Sequence, residues 1–179
     1  MGLEARQDMI IGVVIPLILE HGRDLTSKQI AEACGIAEGT IFRAFGDKDT
    51  LIMAAVDRYL DPLALRTALR SIDTDLSLDK KLAAIIGLLR DRFNGVIRMM
   101  SAIGRGGPPP RREERATDFS GIVGELLAPH RDELRIAPEQ VAHFARALAF
   151  ATAIPQFGES IPFSTDELLD LFKHGVMKG

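Results

Sequence analysis

Arg43 and Lys48 are cations on short helical patterns within one stretch, TSKQIAEACGIAEGTIFRAFGDK, from Thr26 to Lys48. A guanidinium can pair with both acceptors on the major-groove edge of a guanine. A lysine in the first turn of a helix sits beside backbone N–H groups that lack intrahelical partners and favour an anion. The chemistry open to these residue types includes contact with base edges and with phosphate. Catalysis finds little support. The four histidines, His21, His130, His143 and His174, are scattered, and their helical pairs with acids (Glu139/His143 and Asp170/His174) have the spacing of weak surface ion pairs. There is no nucleophile elbow, and the glycines of GRGGPPP, residues 104–110, lack the Lys-Ser/Thr of a phosphate-binding loop. The single cysteine, Cys34, excludes an internal disulfide and a multi-cysteine zinc site, and reads as a small core residue closing a helix. No catalytic residue, metal site or cofactor is expected.

The elements that must position Arg43 and Lys48 are legible in the same stretch. Thr26 followed by Gln29 makes a capping box, in which hydroxyl and side-chain carbonyl satisfy free backbone N–H groups ahead of Ile30, Ala31 and Ala33. Gly35 stands where that helix must stop, because a left-handed residue costs glycine least. Ala37 to Phe45 then sets Ala37, Gly39, Thr40 and Ala44 against Ile41, Phe42 and Phe45, a short helix slender enough for a major groove. Asp47 can cap a further helix whose first turn carries Lys48.

Two short helices around a glycine turn, followed by a third helix start, resemble the N-terminal DNA-binding domain of TetR-family transcriptional regulators. The matching residues are Ile30-Ala31, Gly35-Ile36, Gly39-Thr40-Ile41-Phe42, Phe45, and Lys48 with Leu51, and the likeness covers about the first sixty residues. It implies base-facing positions at Ala37, Glu38, Gly39 and Arg43, and backbone-facing ones at Thr26, Thr40, Phe42 and Lys48, with Lys28 beside them. Phe42 stands where the family most often has tyrosine, so a hydroxyl contact to phosphate is absent. Glu38 can accept from a cytosine amine or stabilise the positive end of its own helix.

Charge restricts the mode of binding. Up to residue 60 there are six basic residues (Arg6, Arg23, Lys28, Arg43, Lys48, Arg58) against nine acidic ones, and the rest of the chain carries sixteen of each. A non-specific nucleic-acid coat would be basic. A net charge of −3 on the reader leaves room only for a few placed cations and helix N-termini.

Along the chain, Leu3 to His21 reads as a helix with Ile10, Val14, Leu17 and Ile18 on one face, interrupted by Pro16, where a kink or loosened turn is expected, and stopped by Gly22. A helix from Lys48 to Asp61-Pro62 links the reader to the downstream helices. A short piece from Leu63 to Leu69 and a loop precede the clearest helix, with Leu82, Ile85, Ile86, Leu89, Phe93, Val96, Ile97 and Met100 on a broad face. Residues 104–112 read as a loop edged by Arg111, Arg112 and Arg115. Next come a helix from Glu113 to Ala128, one opened by Pro138, and a last one capped at Ser164.

These patterns predict an all-α chain: a helix-turn-helix domain over 1–47, a linking helix over 48–61, and a helical effector-binding and dimerisation domain over 62–179. The helix from Glu139 is apolar nearly all round, and the last helix has a wide apolar face. Phe144, Leu148, Leu168, Leu169 and Phe172 are therefore expected to pack against a second copy, which is also how TetR-like proteins dimerise. Phe93, Ile97, Met100, Phe119 and Phe150, with Met99, are candidates to line a cavity for a small hydrophobic effector, an expectation that rests on the resemblance.

No apolar run reaches the roughly 18 residues of a membrane span, and no signal-peptide pattern opens the chain, so a cytoplasmic protein with no membrane partner is expected. The resemblance implies a homodimeric regulator of transcription on palindromic double-stranded DNA, most simply a ligand-relieved repressor. The alternatives are a helical ligand-binding or protein-interaction module whose DNA binding has decayed, favoured by the acidic reader and Phe42, and a small helical enzyme, for which no catalytic group is visible.

Overall fold

The computed structural model of the chain describes residues 2–104, 116–153 and 165–178. Arg111, Arg112 and Arg115, the expected helix start at Glu113, the expected cap Ser164 and most of the 104–112 loop lie outside the described residues. The architecture is all-α, and no strand is formed among the described residues beyond one isolated bridge. No helix of this part is long and apolar enough to cross a membrane.

The chain divides into two compact units, one comprising the residues up to Asp61 together with the segment that starts at Val96, the other comprising Pro62–Gly95 and the later helices. In the first, α1 (Leu3–His21) buries Ile10, Val14 and Ile18 at four-residue steps. It continues unbroken through Pro16, whose ring removes one intrahelical donor while Val14 and Ile18 hold both sides of it in the core. A 3-10 turn at Gly22–Asp24 leads to α2 (Ser27–Cys34), α3 (Glu38–Phe45) and α4 (Lys48–Tyr59). Ile30, Ile41 and Leu51, one from each of these helices, are fully buried with the α1 stripe.

The long helix α6 (Leu78–Ala102) takes part in both units. Its last turns belong to the first one. Met99, expected beside Met100 in an effector cavity, is instead fully buried in the core formed by α1 to α4. The sequence offered Met99 only as a bulky apolar side chain and could not say which partner covers it.

In the second unit, α5 (Leu63–Arg70), the first part of α6, α7 (Ala116–Leu127), α8 (Pro138–Ala153) and α9 (Thr165–Val176) surround one core. Ala142, Ala145 and Ala149 are fully buried along α8, where small side chains let a neighbouring helix approach closely. The end of α9 is tied down by backbone: Arg135 N donates to Val176 O at 2.8 Å, and Lys178 N to Glu133 O at 2.8 Å. Lys81 is fully buried, and its ammonium lies 3.0 Å from His130 Nε2, whose Nδ1 is 2.7 Å from Glu133 Oε1. With lysine as donor, the imidazole accepts at Nε2 and donates from Nδ1, so the relay leads the buried cation to an exposed carboxylate.

Candidate nucleic-acid interface

The reader is built on reciprocal caps. Thr26 N donates to Gln29 Oε1 at 2.8 Å and Gln29 N donates to Thr26 Oγ1 at 3.2 Å, closing the expected box at the start of α2. The Thr26 hydroxyl also bonds Gln29 Oε1 at 2.9 Å, so its polar capacity is largely used inside the chain. What Thr26 leaves for a ligand is a prepared helix start. Gly35 ends α2 in the left-handed conformation, with φ 64°.

Helix α3 is fixed at its far end by α1, where Gln7 Nε2 donates to Ala44 O at 2.7 Å and satisfies a carbonyl of its last turn. Its outer arc consists of Glu38, Gly39, Phe42, Arg43 and Gly46, all exposed, while Ile41 is fully buried behind them. Ala37 is the exposed N-cap residue, and Thr40 sits half-buried at the side of the helix. Among the described residues nothing holds the Arg43 side chain, which leaves its five donors available outward. Lys28 is exposed and 3.9 Å from Glu32, a surface pair of small consequence.

Lys48 is more constrained than its sequence position suggests. Its Nζ donates to Leu25 O at 3.0 Å, bracing the start of α4 against the loop that opens α2. One donor is spent, and two remain for a phosphate. Lys48→Ala is expected to weaken binding to every DNA sequence about equally and to lower the slope of log K against log salt by roughly 0.9 for each phosphate no longer neutralised. An unchanged slope in a salt titration would assign Lys48 to the brace alone.

Asp47 caps α4 by accepting from Thr50 N at 2.7 Å. That bond, with the neighbouring backbone and hydroxyl contacts, holds its carboxyl below the usual carboxylate range. A depressed acid contributes stability above its unfolded pKa and loses it as pH falls through the folded one. Thermal melts of Asp47→Asn should lose this component of the acid dependence below about pH 4, because asparagine caps nearly as well without titrating.

A second constraint joins α1 to the end of α6. Gly22 has φ 57°, and a Cβ there would stand 2.8 Å from the carbonyl oxygen of Ala102. Next to it, Arg23 Nε donates to Ile103 O at 2.8 Å and Nη2 reaches Gly104 O at 3.4 Å, placing a cation on the carbonyl end of α6. Sequence reasoning read Gly22 only as a helix stop, and nothing local in Gly22-Arg23 announces a partner eighty residues away. Gly22→Ala should lower the melting temperature of the protein through both strain and the clash with Ala102, whereas Arg23→Ala should have a smaller effect.

The remaining candidates are distributed. Phe93 and Phe150 meet edge to face with centroids 5.3 Å apart, and Phe119 is buried in the second unit's core. Ile97 and Met100 lie on the stretch of α6 assigned to the first unit, half-buried and buried respectively. An apolar groove of about 290 Å³ lies elsewhere in the second unit, lined by Phe144, Leu148, Ala151 and Thr152 of α8 and Leu168, Leu171 and Phe172 of α9. None of the five expected effector residues lines it. Phe172 belongs to the protomer's own core, Leu168 is buried, Leu148 and Leu169 are half-buried, and Phe144 is exposed with Leu171, the most exposed of the groove residues at 54%. Among the described residues no group of three or more His, Cys, Asp or Glu is gathered as metal ligands would be.

A capped helix, a glycine turn, a slender helix with an outward arginine on its outer arc and a lysine-bearing helix start make a helix-turn-helix domain. Residues 15–55 match the family model for bacterial regulatory proteins of the tetR family. Over those residues the chain is similar to the tetR family, and its fold is like that of solved TetR-family transcriptional regulators. A TetR transcriptional regulator from Streptomyces coelicolor is 21% identical with a TM-score of 0.59, over 96% of this chain and 98% of that one. NalD, the secondary repressor of the MexAB-OprM multidrug efflux pump in Pseudomonas aeruginosa, is 21% identical with a TM-score of 0.53, over 98% and 97%. A gamma-butyrolactone receptor is 19% identical with a TM-score of 0.51, over 99% and 91%. A comparison with curated protein sequences finds no match.

Proposed function

We propose that this protein is a sequence-specific regulator of transcription that binds a palindromic operator as a homodimer and leaves it when a small apolar molecule binds the second unit. Within this reading, residues 1–47 contact DNA, 48–61 link, and 62–179 bind the effector and dimerise. The observation that carries it is the outer arc of α3, where Arg43, unpaired among the described residues, and exposed Glu38 stand on a helix held by Gln7 and by buried Ile41.

The groove on α8 and α9 supports the dimer, because its lining is almost wholly apolar and includes exposed Phe144 and Leu171. Effector control draws support from α6, whose end is keyed to the reader by Gly22 and Arg23. A ligand that prefers one position of α6 would shift the reader with it, and a ligand without such a preference would shift nothing. The solved relatives support the same reading, since one is a repressor and another a gamma-butyrolactone receptor.

The net charge of −3 up to residue 60 favours a second reading, a helical ligand-binding module without DNA function. Selection of sites from randomised duplex DNA by the full chain separates the two. An enriched inverted repeat with half-site centres about 34–36 Å apart, or a multiple, is the result expected of the regulator. A pool without enrichment would favour the module.

A further inference from the structure

Given the DNA-reading role above, on which this inference rests, we infer that Phe42 is a specificity-determining residue that reads the 5-methyl group of a thymine. The outer arc of α3 has five positions, and Phe42 supplies the only bulky apolar side chain among them, 44% exposed between Glu38 and Arg43. Its phenyl ring has no polar atom with which to bond a phosphate. On the floor of the major groove the apolar feature is the thymine methyl, and phenylalanine is among the side chains that meet it.

Gly39 is the second observation. It lies in the first turn of α3 with an ordinary helical φ, and a Cβ built on it would meet nothing within 4 Å. Neither backbone conformation nor packing in the chain calls for glycine there, although glycine costs a helix about 1 kcal/mol relative to alanine. What the missing Cβ provides is a bare backbone on the side facing outward, next to Phe42. A helix shaved at that point can sit deep enough for the ring to reach the base edge instead of stopping at the sugar wall.

The test uses the full chain and the operator selected from randomised DNA. Each thymine is replaced singly by deoxyuridine, which removes the methyl and keeps every hydrogen-bonding group, and binding is followed by fluorescence anisotropy at fixed salt. Expected is one thymine per half-site at which the wild type loses about fourfold in affinity, the worth of one buried methyl. Phe42→Ala should bind thymine and uracil versions equally, and Phe42→Leu should retain part of the discrimination. Circular dichroism of both variants should be unchanged, since the ring is not in the core. An operator with no methyl-sensitive position overturns the inference, as does full methyl sensitivity in Phe42→Ala, and both leave the DNA-reading role intact. A pool with no enriched sequence overturns that role and this inference with it.

Discussion

Leu171→Asp is expected to turn the protein into a monomer and to lower its affinity for the selected operator by about two orders of magnitude or more. Leu171 is 54% exposed on the groove between α8 and α9, so the protomer loses little by its replacement. The dimer would have to bury an unpaired carboxylate against Phe144, Leu148 and the same residues of its copy, which costs several kcal/mol unless the acid neutralises. Operator affinity then falls because the second reader is no longer delivered at a high effective concentration, an advantage of about 10²–10⁴ when geometry permits both to engage. Sedimentation velocity and anisotropy on one sample measure both effects. Phe172→Ala is the contrasting substitution: Phe172 is 1% exposed in the second unit's core, and its loss should cost about 3–5 kcal/mol of stability. A monomeric Leu171→Asp protein that binds the full operator as tightly as the wild type would remove the dimer from the mechanism.

The second large effect is expected at Arg43. Among the described residues its side chain has no partner, so truncation to alanine removes donors without disturbing a structural contact. If the guanidinium pairs with guanine O6 and N7, Arg43→Ala should lose about 1–3 kcal/mol, roughly 5- to 150-fold, and relax preference at a single base pair of each half-site. Repeating the selection with the variant shows whether one position alone becomes degenerate. A uniform loss over all sequences would instead make Arg43 a phosphate contact and move its effect into the salt slope.

How these residues came to be legible differs from case to case. Thr26 and Gln29 could be paired from the sequence because a capping box is local and reciprocal, and Gly35 could be placed because the left-handed end of a helix selects glycine. Asp47 could be placed for the same local reason. Arg43 and Phe42 were singled out through the family resemblance, and the fully buried Ile41 explains why they face outward.

What escaped sequence reasoning has its cause in a distant partner. The turn of Gly22 was visible, but not the carbonyl of Ala102 against it, and Arg23 gave no sign of its bond to Ile103. Met99 showed only that it was apolar, and its burial with α1 to α4 results from where α6 ends. Lys81 would be taken for a surface lysine on α6, yet its ammonium is buried against His130. On α9, periodicity put Leu168, Leu169, Leu171, Phe172 and Val176 on one wide face, whereas packing in the protomer buries Phe172 and Val176 and leaves Leu171 to the outside.

Sequence-specific reading by a sparse, net-acidic domain is the central claim, and the ratio of two affinities tests it most directly. The full chain is titrated against its selected operator and against a scrambled duplex of the same composition, both at physiological salt. With few cations to support non-specific attraction and a placed Arg43 to support the specific kind, the operator should bind at least about 10³-fold more tightly. Equal affinity for the two duplexes would contradict it.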